Sequence, residues 1–455
     1  MSVFDGKRLP ISTFKLDVAR MRRGWYSDKY FYNIAAVLTE LARQGYRFGG
    51  ASPDLADIGV DLANIDIGNI EVEMQWFTRR RPFSVVVGVD KALAMLQTCT
   101  GYFDARGDWV DTFDKLEVRA VHDGAVAPYG GDPRQVTPVI KAQGRYRDFA
   151  ILETPTLGAL TRGTRVATNV YHVLEAANGK DVLFFPARFD AHEIQAADGY
   201  AYHIAVQLYN ARHGRSAGSH VSTDEQGDWW GGGGGGTVAH AAIACFLGDT
   251  AETMLAFASI LPVSTPRIAL VDFHNDCVGT SLAVMERMFT RYMQLVDAGQ
   301  EEEARKFVLY GVRPDTGGTM RDVSVPPLGD PKLDNGVNPR LCFRLRAAID
   351  SAFEAWDLPA RWVDRARAWC QNVKITVTGG FNPERIRAFE AMGVPVDVYG
   401  VGSSLFSNCS ENGTNNDFTA DIVRVKIEGQ WYPLAKVGRQ ACENPELEPV
   451  APLPN

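Results

Sequence analysis

From about residue 151 the sequence alternates helical stretches with short apolar runs, and this rhythm limits the folds open to the chain. We expect helices at 157–177, 191–209, 239–256, 282–298, 338–355, 359–369 and 382–392. The apolar runs between them are 182–185, 267–273, 307–312, 373–377 and 396–401. Such alternation is typical of parallel strands joined by helices, and this many units in series favour a barrel over an open sheet.

The N-terminal part has a different character, with short β-type runs interrupted by Gly and Pro. Residues 70–97 predict two strands and a helix, with 83–89 as a buried strand, and further strands are expected at 116–121, 125–129 and 138–141. Ser27 or Asp28 is a candidate cap for an earlier helix. Its predicted apolar face consists of Phe31, Ile34, Val37, Leu38 and Leu41.

These patterns predict an α/β chain with two parts. We expect a sheet-rich N-terminal α/β domain at 1–150 and an α/β barrel at 151–405. The remaining segment, 406–455, is expected to return to the N-terminal domain and complete it.

Polar residues follow the predicted barrel strands at the points where those strands end. In a barrel, the carboxyl ends of the strands meet at one face and carry the ligand groups. The residues expected there are Arg188, Asp272, Asp276, Arg313, Asp315, Gly379, Gly380, Gly402 and Ser403.

The last two strand ends read Thr-Gly-Gly and Gly-Val-Gly-Ser-Ser. Backbone N–H groups and small hydroxyls in such turns bind phosphate, and the alternative is that the turns need glycine for their shape alone. Asp272, Asp276 and Asp315 are suited to Mg²⁺ held jointly with substrate phosphates, or to sugar hydroxyls. The alternative for these acids is a solvated loop position.

Six consecutive glycines, 231–236, follow Trp229-Trp230 and precede Thr237-Val-Ala-His240. A bare glycine run is usually a flexible linker, because glycine loses the most backbone freedom on ordering. The flanking residues instead favour a loop that approaches an anionic or planar ligand and leads into a helix with His240 in its first turn. One hypothesis is a mobile lid that orders over the ligand.

Composition excludes several classes of function. The formal net charge of −8 and the lack of a long basic run argue against nucleic-acid binding. No apolar run reaches the roughly 18 residues of a membrane span, and the N terminus has no signal-peptide pattern, so we expect a soluble cytoplasmic protein. Seven scattered cysteines without a CxxC spacing are expected to be reduced thiols.

The ordered motifs resemble those of the nicotinate phosphoribosyltransferases, within the type II phosphoribosyltransferases, over almost the whole chain. The matching segments are SDKYF, ILETPTLGAL, WWGG, GTVAH, ALVDFHNDC, GVRPDTGG, ITVTGGFNPERI, VDVYGVGSSL, DFTADIVRV and AKVGR. The resemblance implies a homodimer with its active site at the subunit interface. It also implies Mg²⁺ and, in ATP-coupled members, ATP as a facultative co-substrate.

The resemblance also assigns roles by position. Tyr30 is expected to stack on the pyridine ring, from the neighbouring subunit, while Thr237 contacts nicotinate and Arg313 holds its carboxylate. Arg188 is expected beside them, although Phe189 stands where several members have a second arginine.

The remaining roles concern the second substrate, phosphoribosyl pyrophosphate (PRPP), and catalysis. His240 corresponds to the histidine phosphorylated by ATP. Gly379, Gly380, Gly402 and Ser403 correspond to the 5-phosphate site. Asp272, Asp276 and Asp315 are expected near the ribose and pyrophosphate, with Mg²⁺ bound mainly through PRPP and Asp276 as a candidate ligand.

The residues and the resemblance together predict conversion of nicotinate and PRPP to nicotinate mononucleotide and pyrophosphate, in NAD salvage. One alternative is the same chemistry on nicotinamide or quinolinate, although quinolinate would require more cationic groups. The other is a phosphosugar-binding barrel without transferase activity. A Schiff-base lyase is disfavoured because Lys374 begins a predicted strand instead of ending one.

Overall fold

The computed structural model describes residues 5–55, 59 and 61–454 of the chain. Its strands, in chain order, are β1 (Glu71–Thr78), β2 (Phe83–Val85), β3 (Gly101–Phe103), β4 (Trp109–Asp111), β5 (Glu117–Ala120), β6 (Val126–Pro128), β7 (Ile140–Arg145), β8 (Asp181–Phe184), β9 (His220–Val221), β10 (Ile268–Leu270), β11 (Gly311–Arg313), β12 (Lys374–Val377), β13 (Val398–Val401), β14 (Phe418–Ile427), β15 (Gln430–Pro433) and β16 (Glu448–Pro449).

The helices of the described residues are α1 (Val18–Arg22), α2 (Lys29–Gln44), α3 (Val89–Cys99), α4 (Glu153–Ala176), α5 (Gln195–His213), α6 (His240–Cys245), α7 (Thr250–Ile260), α8 (Cys277–Asp297), α9 (Glu301–Arg305), α10 (Pro331–Asp334), α11 (Pro339–Ser351), α12 (Val363–Asn372) and α13 (Pro383–Ala391). None of these helices is long and apolar enough to cross a membrane.

The first of two compact units comprises the described residues up to Asn169, Tyr200–Leu208 and those from Ser407 onward. Its main sheet has the strand order β15-β14-β1-β7-β5-β16, and β1 pairs antiparallel with both β14 and β7. Met74, Trp76 and Phe77 on β1 are almost completely buried. The C-terminal strand β14 is therefore an integral part of the sheet that contains β1.

The second unit comprises Val170–Gly199 and Tyr209–Phe406 and contains the parallel sheet. Its strand order is β10-β11-β12-β13-β8-β9, so the last of these strands in the chain, β13, pairs in parallel with the first, β8. The sheet curls into an incomplete barrel, which confirms the predicted fold class. Among the described residues, β9 and β10 do not pair, and the ring is open there.

The connection from β9 to β10 contains the glycine run, His240 and helices α6 and α7. The opening of the barrel therefore lies at the connection that contains the glycine run and His240. All five predicted barrel strands are present, although β10 and β11 are shorter than the apolar runs that indicated them.

The expected single helix at 239–256 is wrong, because two helices occupy this region. Leu247 has φ 55° and Gly248 has φ 89°, which are left-handed conformations that end α6. Asp249 then caps α7 by accepting a hydrogen bond from the Glu252 N–H at 2.8 Å. The apolar pattern continues through this break although Phe246 and Leu247 are 39% and 98% exposed, so the pattern does not reflect burial there.

The predicted apolar face of α2 is also only partly correct. Leu38 is buried, but Ile34 and Val37 are 37% and 51% exposed. Ala35 is the second buried residue of the helix. The predicted buried strand at 83–89 is shorter than expected, since β2 ends at Val85 and α3 begins at Val89, although the intervening valines are buried.

Candidate active site

A cavity of about 380 Å³ lies at the carboxyl ends of the barrel strands, within the second unit. Parallel strands bring these ends to one face, so residues far apart in sequence converge there. The lining includes Arg188, His240, Arg313, Asp315, Gly379, Gly380, Gly402 and Ser403. The structure therefore brings together eight of the residues that the sequence indicated.

His240 is the first residue of α6, and its imidazole is paired with a buried carboxylate. The His240 Nε2 atom lies 3.0 Å from Asp272 Oδ1, and the side chains are 47% and 8% exposed, respectively. Burial raises the pKa of Asp272; the nearby His240 opposes that shift and Asp315 adds to it. Because Asp272 engages Nε2, the carboxylate fixes the ring orientation and leaves Nδ1 for another partner.

Arg313, at the end of β11, is held by the segment that precedes His240. Its Nη2 atom donates to the Val238 carbonyl at 3.0 Å, whereas its buried Nε has no hydrogen-bond partner among the described residues. Burial lowers the pKa of Arg313, and Asp315 and Asp272 oppose that shift. A partly desolvated guanidinium with an unused donor is suited to an anionic ligand.

The turn after β12 has a backbone that strongly favours glycine. Gly379 has φ 96° and Gly380 has φ 69°. The Thr378 hydroxyl donates to Asp315 Oδ1 at 2.6 Å, and Arg385 donates to the Gly379 carbonyl, also at 2.6 Å. These contacts connect the turn to the end of β11 and to helix α13.

Phe189 forms a cavity wall next to Arg188. The Arg188 guanidinium carbon lies 5.4 Å from the centre of the Phe189 ring, which is 46% exposed. A Cβ atom on Gly402 would lie 2.8 Å from that ring. Gly402 therefore allows the Phe189 ring to approach the turn after β13.

Three further predicted residues of this unit lie outside the cavity lining. Asp276 caps α8, since its Oδ1 atom accepts a hydrogen bond from the Gly279 N–H at 2.8 Å. Asp272 reaches the cavity through His240. Thr237 is half-buried and precedes Val238, whose carbonyl holds Arg313.

Tyr30 belongs to the first unit, in the first turn of α2. Its ring is 63% exposed, and its hydroxyl donates to Asp28 Oδ2 at 3.2 Å. Asp28 also accepts a hydrogen bond from the Thr154 hydroxyl at 3.0 Å.

The glycine run is anchored to the barrel instead of forming a free linker. The Gly234 N–H donates to Asp224 Oδ1 and the Gly235 N–H donates to the Val221 carbonyl, both at 2.8 Å. Trp230 donates from its indole N–H to the Gln226 carbonyl at 2.8 Å. The run therefore returns to the edge of β9, next to the opening of the ring.

Sequence reasoning missed the residues that position the site. These are Val238, through its carbonyl, and Arg385, through its guanidinium. Thr378 belongs to the predicted Thr-Gly-Gly turn, but its hydrogen bond to Asp315 was not expected. Arg385 and Thr378 both lie in the ITVTGGFNPERI segment, but no local pattern indicated their partners. As for metal binding, no group of three or more His, Cys, Asp or Glu side chains in the described part of the chain could hold an ion by itself.

No protein-family model matches the chain and no curated protein sequence matches it. Solved structures do resemble it. The crystal structure of nicotinate-nucleotide pyrophosphorylase from Pyrococcus furiosus matches with a TM-score of 0.56 and 22% identity, over 93% of this chain and 80% of that one. Human nicotinic acid phosphoribosyltransferase matches with a TM-score of 0.49 and 17% identity, over 80% of this chain and 72% of that one.

The similarity to the Pyrococcus structure covers most of both chains and is a similarity of fold. The chain has the type II phosphoribosyltransferase fold. The resemblance noted in the sequence is thereby confirmed at the level of architecture.

Proposed function

We propose that the chain is a nicotinate phosphoribosyltransferase, which converts nicotinate and PRPP to nicotinate mononucleotide and pyrophosphate in NAD salvage. The observation that supports this proposal is the shared cavity, in which Arg313 and His240 face the glycine turns after β12 and β13. The known structures of similar fold include proteins whose names refer to nicotinate nucleotide and nicotinic acid.

Nicotinate is a planar ring with one carboxylate. Arg313 has a fixed position, because Nη2 is bonded to the Val238 carbonyl, and its buried Nε has an unused donor. In the proposed complex this guanidinium accepts the carboxylate as a hydrogen-bonded ion pair. Tyr30 from a second subunit is proposed to stack on the pyridine ring, with Thr237 beside it and Arg188 as a further cation.

PRPP presents a 5-phosphate, a ribose and a pyrophosphate. The left-handed turn at Gly379 and Gly380 exposes backbone N–H groups, and Gly402 and Ser403 provide a second set at the next strand end. The 5-phosphate is proposed to bind these two turns. Asp315, held by Thr378, would then accept hydrogen bonds from the ribose hydroxyls.

In the reaction, the nicotinate ring nitrogen forms a bond to C1 of the ribose as the bond from C1 to the pyrophosphate oxygen breaks. The bonding electrons leave with pyrophosphate, and positive charge develops on the sugar. Asp315 in the cavity lining, and Asp272 behind His240, would supply the negative charge that stabilises it. Bound Mg²⁺ would neutralise charge on the leaving pyrophosphate.

The carboxylates of the cavity fit a Mg²⁺ ion that binds together with PRPP. Without a cluster of three ligands among the described residues, Mg²⁺ would depend on PRPP oxygens plus one or two carboxylates. Asp315 lines the cavity and is the first candidate. Asp276 remains a second candidate through the carboxylate oxygen that does not cap α8.

ATP coupling is proposed to act through His240. Asp272 holds Nε2, so Nδ1 is the nitrogen that would accept a phosphoryl group from ATP. A phosphohistidine at this position would add about two negative charges beside the PRPP site. Its hydrolysis could then be coupled to substrate binding or product release.

Phe189 favours a base with one carboxylate over quinolinate. Its ring occupies the wall next to Arg188, where a second carboxylate would require another cation. The Schiff-base alternative is disfavoured by Lys374, whose ammonium lies 3.5 Å from Asp397 at the start of β12, at the opposite end of that strand from the cavity.

The test is product formation from nicotinate, nicotinamide and quinolinate, each with PRPP and Mg²⁺, with and without ATP. We expect turnover of nicotinate alone, stimulated by ATP and lost in His240→Ala. His192→Ala is the matched control, because that histidine is 85% exposed and lies away from the cavity lining. Absence of turnover with all three bases, despite PRPP binding, would favour the non-transferase barrel.

A mixing experiment tests the proposed homodimer. If Tyr30 acts on the neighbouring subunit, inactive Tyr30→Ala and His240→Ala chains should complement each other when their subunits are exchanged. Each mixed dimer would then contain one intact site, and statistical mixing would restore about a quarter of wild-type activity. No recovery, with subunit exchange verified, would argue against an interfacial site.

A further inference from the structure

A second cavity lies entirely within the first unit and is larger than the candidate active site, at about 830 Å³. Residues of α1 and α2, with the segment between them, line one side. The β3–β4 hairpin and the segment around Arg147 line the other. The proposed phosphoribosyl transfer uses none of these residues.

The lining is strongly basic, although the chain as a whole carries a formal net charge of −8. Four cations contribute to it: Arg22, Arg23, Lys29 and Arg147. The one carboxylate of the lining, Glu40, accepts a hydrogen bond from Arg43 at 2.8 Å. This bond lowers the pKa of Glu40 to about 2. Glu40 is therefore ionised and already paired with Arg43. The four cations of the lining outnumber it, so the cavity has an excess of positive charge.

Each of the four cations lies over an aromatic ring of the same lining. The distances from the charged group to the ring centre are 4.6 Å for Arg22 over Trp109, 4.9 Å for Arg23 over Phe103, 4.8 Å for Arg147 over Tyr102 and 4.6 Å for Lys29 over Tyr32. Stacking holds a guanidinium in place without using its N–H groups. Arg22 nevertheless donates from Nε and Nη2 to the Thr98 carbonyl, so Arg23 and Arg147 are the guanidiniums left to bind an anion.

Arg147 is the strongest indication of a ligand. Its side chain is 8% exposed, and its nearest carboxylate oxygen, on Asp148, lies 3.6 Å away. Its buried Nε has no hydrogen-bond partner among the described residues. Buried donors of this kind are normally satisfied, so an anion in the cavity would complete the coordination of Arg147.

The lining also offers ring surface to a planar ligand. Trp25 is 68% exposed and Tyr32 is 43% exposed, and both line the cavity. Thr39 and Glu40 provide a hydroxyl and a carboxylate nearby, which are groups that bind sugar hydroxyls. The volume is within the range of small-molecule sites.

We propose that this cavity is a second ligand site and that its ligand is a nucleoside phosphate. The phosphate binds Arg23, Lys29 and Arg147, the base stacks against Trp25 or Tyr32, and the ribose lies toward Thr39 and Glu40. None of its lining residues lines the cavity at the strand ends or has a role in the proposed transfer, although Tyr30, which is proposed to reach a neighbouring subunit, lies on the same helix α2.

Calorimetric titration of the full chain with AMP and inorganic phosphate tests the proposal, and ATP is avoided because it is also proposed to react with His240 in the other cavity. The informative variant is Arg23→Ala/Lys29→Ala, since both side chains are exposed and their removal should leave the melting temperature unchanged. We expect AMP to bind wild type, and the double variant to bind it about tenfold more weakly or worse. Inorganic phosphate should bind more weakly than AMP.

The matched control is Arg365→Ala, which removes another exposed arginine stacked on aromatic rings, those of Tyr292 and Trp362. Its nucleotide affinity should equal that of wild type. Three results would overturn the proposal: no saturable AMP binding to wild type, equal AMP affinity in the double variant, or phosphate binding as tightly as AMP. A change in oligomeric state of the double variant without nucleotide binding to wild type would instead indicate that a second copy covers the cavity.

Discussion

Two glycine-rich parts of the second unit use the same residue for different reasons. At the strand ends, Gly380 has φ 69° and the Cβ positions of Gly400 and Gly402 are blocked by side chains. In the run 231–236, only some positions are restricted: Gly231 has φ 78°, and a Cβ on Gly234 would lie 2.7 Å from the Thr223 carbonyl carbon. Gly236 has open space around its Cβ position. The backbone requirement at each position, more than the number of glycines, therefore indicates where glycine is needed.

The largest expected effect comes from Gly380→Ala in the proposed phosphate turn. Alanine at φ 69° costs about 1–2 kcal/mol, and the added methyl group lies where the phosphate approaches. We expect kcat/KM for PRPP to fall at least about tenfold. Gly393→Ala is the matched control, because Gly393 has φ 64°, has open space and lies beyond α13. Equal activity losses in the two variants would mean that backbone strain at positive φ, and not a disturbed phosphate site, causes the loss of activity.

Gly400→Ala should affect stability more than any substitution in the glycine run. Its Cβ would lie 2.5 Å from Thr378 Cγ2 and 3.1 Å from the Phe185 ring, in a buried strand. Overpacking of this kind costs about 1–3 kcal/mol in the free energy of unfolding, measured by urea denaturation. Gly317→Ala, with open space at its Cβ position, is the control and should change little.

Asp224→Ala tests whether the glycine run is anchored. Losing the hydrogen bond from the Gly234 N–H should cost about 0.5–1.5 kcal/mol and speed hydrogen exchange across 231–236. Glu225→Ala removes an exposed neighbouring carboxylate as the control. In wild type, the lid hypothesis predicts slower exchange in this run once PRPP and Mg²⁺ bind. Unchanged exchange would count against a lid.

The smallest effect is expected for Gly236→Ala. Since its φ lies outside the left-handed region and no atom would contact the new methyl group, the variant should be neutral or more stable by about 0.4–1 kcal/mol. Gly234→Ala, two residues away, should instead be destabilised by its contact with Thr223. A lower melting temperature for Gly236→Ala than for Gly234→Ala would contradict this distinction.

The sequence predicted the barrel strands well, because the apolar runs and turn residues that indicate them are local features of the chain. Apolar runs such as 373–377 and 396–401 correspond to β12 and β13, and the Thr-Gly-Gly turn follows from residue types alone. It failed at 239–256, where the apolar pattern continues across the left-handed break at Leu247 and Gly248. It also failed on α2, since periodicity does not identify which of several apolar residues a tertiary contact will cover.

The sequence by itself determined the parallel architecture and the set of polar residues at the strand ends, because parallel strands bring those ends to one face. Only the tertiary structure decided how those residues pair. His240 with Asp272, Arg313 with the Val238 carbonyl, and Asp315 with Thr378 join positions that are 32, 75 and 63 residues apart. Such pairs depend on side-chain direction and on the geometry between strands, which hydrophobic periodicity does not record.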